Sequence, residues 1–135
     1  MTNKTYIRTG IGYAIAQHLL GKSPPNNVIL VARTKEPLIR LQKQYPDHVQ
    51  IVAGDVIDHS LAEEAVKVAI EKYKRLDGMV LNHGILGQVA KIEDADLQQW
   101  AHGFNVNFFS LVAFVSGSTS YGWFHFPSLE SVEIN

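Results

Sequence analysis

In the stretch YIRTGIGYAIAQHLL, Tyr6 to Leu20, the glycines Gly10 and Gly12 leave backbone N–H groups bare where an extended segment turns into a helix. Such a helix start gathers unpaired donors at the positive end of the helix dipole, an arrangement that suits phosphate. Three further segments end in residues with comparable potential. Arg33 closes the run VILVA, Asp55 and Val56 follow VQIVAG, and Asn82, His83 and Gly84 close GMVLN. A cation at Arg33 suits a ribose 2′-phosphate better than a bare hydroxyl. The Asp55–Val56 pair offers a hydrogen bond to an adenine edge, and Gly84 allows a ligand to approach the backbone closely. Each has a plain structural account as well: a strand-to-helix turn over Thr9 to Gly12, a solvated arginine, a turn aspartate. Four such candidates at four strand ends weigh more than any one of them.

The elements that position these residues alternate in period. Thr5 to Ile7 reads as a strand, and Ile11, Ala14, Ile15, His18 and Leu19 then form one stripe of a helix. GKSPPNN breaks that helix. Val28 to Ala32 is a β-branched run of the kind covered on both faces in a parallel sheet. Thr34 is the predicted cap of the next helix, with Pro37 in its first turn and Leu38, Leu41 and Tyr45 facing inward. Val49 to Gly54 is a third strand. Ser60 with Glu63 predicts a capping box for a helix whose Ala62, Val66, Ala69, Ile70 and Tyr73 share a face. Gly78 to Asn82 is the fourth strand. From Asp94 or Asp96 a long helix is predicted to carry Leu97, Trp100, Ala101, Phe104, Phe108 and Leu111 inward as far as about Val115. Strands alternating with helices in this way predict right-handed crossovers and a doubly wound, three-layer parallel α/β sheet of about four strands, in which a ligand lies at the carboxyl ends of the strands.

Length and composition limit the rest. A chain of 135 residues, 46% of them hydrophobic, can bury one core. A net charge of −1 with both signs interspersed gives no basic field for nucleic acid, and zero cysteines exclude disulfide and thiol chemistry. The N-terminus lacks a signal-peptide pattern, and nowhere do about 18 apolar residues run together, so a cytoplasmic protein with no membrane partner is expected. His18, His48, His59 and His102 lack metal-ligand spacing, and His83 has no cysteine or carboxylate neighbour, so no metal site is expected. Past Ser116 the sequence SGSTSYGWFHFPSLESVEIN has neither period, which divides the chain into a nucleotide-binding part over residues 1–115 and an irregular tail over 116–135.

Taken in order, these residues resemble the short-chain dehydrogenase/reductase family over roughly Lys4 to Val115. TGIGYAIAQHLL is similar to the end of the family's glycine loop and first helix, VILVAR to its second strand with the NADP-selecting arginine, and GDVID to its adenine-binding pair. LNHG resembles the Asn-Asn-Ala-Gly motif, keeping Asn82 and Gly84, with Leu81 and His83 departing from it. FNVNFFS is similar to the helix that carries the catalytic asparagine, here Asn107. VARTKEPL, KYKRLDGMVLNHGIL and QQWAHGFNVNFFSLVAFVS look most like fungal benzil and sepiapterin reductase relatives. The resemblance implies a Rossmann-type fold, an NADP cofactor held by Thr9, Gly10, Ile11, Gly12, Arg33, Asp55, Val56, Asn82 and Gly84, and reduction of a small ketone or diketone. It also implies a possible homodimer through Phe108, Phe109, Val112 and Phe114, a surface that in an incomplete sheet would instead aggregate.

The chain departs from the family in two ways. The chemistry requires a tyrosine as proton donor and a lysine one helical turn later, and no tyrosine here is followed by lysine at that spacing. Tyr121 with His125, after Ser118 and Ser120, is the nearest imitation, flanked by Gly122 and Pro127. The glycine loop is also short by about four residues, or roughly 13 Å of chain reach. Both departures have the look of a mis-spliced or wrongly predicted gene product: the amino-terminal part of a reductase, without hydride-transfer activity. The other classes weighed are a non-catalytic nucleotide-binding or dimerisation module and a flavodoxin-like receiver domain. The last lacks the acidic cluster it would need after strand one.

Overall fold

The computed structural model describes residues 11–119 together with the backbone of residues 5–8. Four strands form one parallel sheet: β1 (Thr5–Arg8), β2 (Asn27–Ala32), β3 (Val49–Ala53) and β4 (Gly78–Val80), in the order β3-β2-β1-β4. β1 pairs with β2 from Thr5 opposite Asn27 and with β4 from Tyr6 opposite Gly78. Its ladder is therefore completed by two segments that β3 and the helices on either side of it separate in sequence.

β2 shows why the sheet has helices on both faces. Val28 and Leu30 point into a core with Ala16 and Leu20 of α1 (Gly12–Leu20) and Leu41 of α2 (Glu36–Gln44). Ile29 and Val31 point the other way, into a core with Leu61, Ala62, Ala65, Val66 and Ala69 of α3 (Ser60–Tyr73). A strand alternates its side chains across the sheet, so a continuous apolar run must be buried on both faces.

The predicted helix stripes need adjustment in places. In α1 the buried residues are Gly12, Ala16 and Leu20, while Ile11, Ala14 and His18 of the predicted stripe are exposed. α2 starts after Lys35 without a side-chain cap, so Thr34 does not cap it. α3 has no capping box either. Asp58 takes that place, its Oδ1 accepting from Ser60 N–H (3.0 Å) and Ser60 Oγ (2.7 Å), which holds the Asp58 carboxyl below the usual carboxylate range. The aspartate two residues earlier takes the Ser60 N–H that Glu63 would accept from in a capping box, and it draws the Ser60 hydroxyl toward itself as a second donor.

The largest departure lies in the last helical stretch. Asp96 caps α4 (Leu97–Phe104), accepting from Gln98 and Gln99 N–H, but the helix then widens into a π-helical turn (Asn105–Phe109) before α5 (Ser110–Thr119). One extra residue in a turn rotates everything after it. Leu97, Trp100, Phe104 and Phe108, predicted to face inward, are 79%, 42%, 55% and 55% exposed, and Ala101 is exposed as well. α4 continues without a break into the π-helical turn and has no buried residue of its own. The inward residues are Val106, Ser110, Phe114, Gly117 and Ser118 instead. Phe114 is thus core and no part of an exposed face, while Phe109 and Val112 are exposed as expected, and Phe108, assigned to both the inward face and the dimer face, lies on the exposed side. Tyr73 packs half-buried against the α3 core. The helix also passes Ser116, where the composition changes, and continues to Thr119.

Gly117 lies where α5 crosses α3, and a Cβ there would meet Glu63 N at 3.6 Å and Ala62 Cβ at 3.8 Å, ordinary contacts. Gly117→Ala is expected to be tolerated and to add up to about 1 kcal/mol through reduced freedom of the unfolded chain. Gly117→Leu must force the helices apart, at a cost of about 1–3 kcal/mol. Urea unfolding of the two variants measures both effects.

Candidate functional site

The segments that follow β2, β3 and β4, together with the start of α1, line one cavity of about 720 Å³. Ile11, Arg33, Asp55, Val56, Asn82 and Gly84 line it, so six of the predicted cofactor residues come together there. Gly12 is buried at the start of α1, outside the lining. Thr9 and Gly10 lie outside the described residues, as do Tyr121 and His125.

Each lining residue is held by local geometry. Arg33, just past β2, is exposed and forms no ion pair among the described residues. Asp55 closes a tight turn after β3, its Oδ1 accepting from Ile57 N–H at 3.2 Å. With its amide oxygen toward α1, Asn82 accepts from Ile11 N–H (3.1 Å) and Gly12 N–H (3.2 Å). Two donors that the glycine turn was expected to offer to phosphate are therefore turned to Asn82, which ties the end of β4 to the first turn of α1. The side chain of Ile11, 81% exposed, faces the cavity.

Asn107 stands in the π-helical turn and forms a two-point clamp. Its Oδ1 accepts from Ile85 N–H and its Nδ2 donates to the Ile85 carbonyl, both at 2.8 Å. Gly84 fits closely beside this clamp, since a Cβ on it would lie 3.3 Å from Asn107 Oδ1. A larger residue would press on the amide that fixes the loop.

The structure gives places in or beside the cavity to residues that the sequence reading had not assigned to the cofactor. Ile85, Thr34 and His102 line the cavity, and His83 is a packed side chain whose Nε2 lies 2.6 Å from Ser110 Oγ. Burial pushes the His83 imidazole below its ordinary pKa of 6.5, partly opposed by the Val106 carbonyl. His83 follows a strand, which is a signal of sorts. Ser110, distant in sequence, gave none.

These residues can bind and orient a ligand with an anionic group near Arg33 and a flat ring along Asp55, Val56 and Gly84. No helix of the described residues is long and apolar enough to cross a membrane.

Comparison with known proteins agrees with this arrangement. The sequence model of the short chain dehydrogenase family matches residues 6–121. An uncharacterized oxidoreductase of Saccharomyces cerevisiae is 32% identical over 111 residues, covering 82% of this chain and 44% of the relative. The (S)-benzoin-forming benzil reductase of the same yeast is 35% identical over 112 residues, covering 79% of this chain and 43% of the relative. A crystal structure of a short chain dehydrogenase/reductase from S. cerevisiae superposes with a TM-score of 0.82 at 30% identity, over 87% of this chain and 48% of that one. The chain thus spans less than half the length of these relatives. With a parallel sheet of this order, a cleft at the strand ends and a family match over most of its length, the chain belongs to the short chain dehydrogenase family of oxidoreductases.

Proposed function

We propose that the chain is the nucleotide-binding part of an NADP(H)-dependent reductase of small ketones or diketones, and that these 135 residues bind the adenosine half of the cofactor without transferring hydride. One observation carries the reading: Arg33, Asp55, Val56, Asn82 and Gly84, from three strand ends, line a single cavity. The relative named for benzil reduction supports the substrate class.

In this reading Arg33 holds the 2′-phosphate. Asp55, whose Oδ1 is used in its own turn, offers its second oxygen to the adenine amino group. Gly84 lets a flat ring lie against the backbone, and Asn107 keeps that backbone in place through Ile85. The cofactor's nicotinamide would supply the hydride. Reduction also needs a proton donor, and the sequence has no Tyr-x-x-x-Lys pair to provide one. No NADPH oxidation with diketones is therefore expected of this chain.

A thermal unfolding curve with NADPH and with NADH tests the proposal. NADPH at about 100 times its Kd stabilises by about 2.7 kcal/mol, a shift on the order of 10 °C, while NADH at the same concentration should shift the transition far less. Equal shifts would remove Arg33 from its role, and no shift with either would sink the binding site. A second reading, an association module, is favoured by the exposed Trp100, Phe104, Phe108 and Val112. Sedimentation separates the two: a dimer indifferent to nucleotide supports association alone.

A further inference from the structure

We propose that His83 is a positioning residue: as the Nε2–H tautomer it donates to Ser110 Oγ, whose hydroxyl donates to the Val106 carbonyl, and this relay fixes the π-helical turn that sets Asn107 on Ile85. Ser110 is fully buried, and its oxygen has two close partners, Val106 O at 2.6 Å and His83 Nε2 at 2.6 Å. A serine hydroxyl has one proton, and a carbonyl can only accept. The proton must therefore point at Val106, and a bare Nε2 would leave two lone pairs facing each other. Nε2 carries the hydrogen, and Nδ1 of the neutral ring is left bare.

The π-helical turn explains why the relay matters. In an α-helix Val106 O would receive Ser110 N–H, but here that N–H donates to Asn105 O, and the Ser110 hydroxyl takes up the Val106 carbonyl. Asn107, the next residue, makes its clamp on Ile85. Two ties, His83 to Ser110 and Ile85 to Asn107, thus flank Gly84 and join the loop after β4 to the helix. The Phe114 ring walls the imidazole from one side, its centroid 6.2 Å away. The functional consequence, a fixed backbone wall at Gly84 and Ile85, rests on the reading of the cavity as a nucleotide site.

The test uses the full 135-residue chain. Long-range ¹⁵N–¹H correlation of the imidazoles should show His83 with a protonated Nε2 and a bare Nδ1. Amide exchange of Ile85 should be about tenfold faster in Ser110→Ala and in His83→Phe, and within about twofold of the parent in His83→Gln, whose amide nitrogen can donate from the place of Nε2. An Nδ1–H tautomer in the parent chain, or Gln and Phe variants that exchange alike, would overturn the proposal. Should the variants fail to fold, the tautomer of the parent decides. NADPH titration of the parent separates the two readings: the expected tautomer and exchange without nucleotide binding leave His83 in its role and sink the nucleotide site, whereas nucleotide binding with the wrong tautomer overturns only the role of His83.

Discussion

Phe114→Ala is expected to remove about 3–5 kcal/mol of stability, enough to undock α5 and to leave the chain close to unfolded at room temperature. The reason is the scarcity of alternatives. Of the buried residues of α5, Ser110, Phe114, Gly117 and Ser118, only Phe114 has a large apolar side chain. It is 1% exposed and belongs to the core that α3 forms with the sheet. Truncation would open a cavity between α3, α5 and the ring of His83, and neither glycine nor serine neighbours can fill it. Urea unfolding followed by circular dichroism gives the loss directly. A loss below about 1 kcal/mol would mean that α5 docks through something other than this ring.

Arg33→Ala is expected to weaken NADPH binding by roughly 10- to 100-fold while leaving NADH affinity nearly unchanged. A charge-assisted pair with the 2′-phosphate is worth about 1.5–3 kcal/mol, and no carboxylate among the described residues competes for Arg33. Because Arg33 is exposed, the preference should shrink as salt rises, through screening. Calorimetric titration with both nucleotides at two ionic strengths checks each part. Equal losses for NADPH and NADH would mean that Arg33 shapes the cleft and does not select the phosphate.

Most of the fold and of the cleft could be read from the sequence because those features depend on local patterns. The run VILVA is buried on both faces of the sheet, and residues just after the strands of a parallel sheet gather at one edge, so the common cavity lined by Arg33, Asp55, Asn82 and Gly84 could be anticipated from their order. The failures share a different cause. The inward face of the last helix was misjudged because a π-helical turn cannot be seen in a 3.6-residue period, and one added residue turns Trp100 and Phe104 away from Phe114. Thr34 and Ser60 were taken as caps on residue type, yet one cap is absent and the other belongs to Asp58. Asn82 was read for a cofactor and also binds the first turn of α1, a contact between segments far apart in sequence.

The ladder of β1 has a consequence for how the chain acquires its structure during synthesis. β1, made before its two neighbours, lies between them, with β2 on one side and, on the other, a strand that begins only at Gly78. As the chain leaves the ribosome, β1 can pair with β2 early but keeps one row of backbone groups open until α2, β3 and α3 have emerged and β4 follows them. Pairings between such distant segments are slow and leave strand edges exposed in the interval. Until then the open edge of β1 is a place for a chaperone to bind, and the arrival of Gly78 to Val80 closes it.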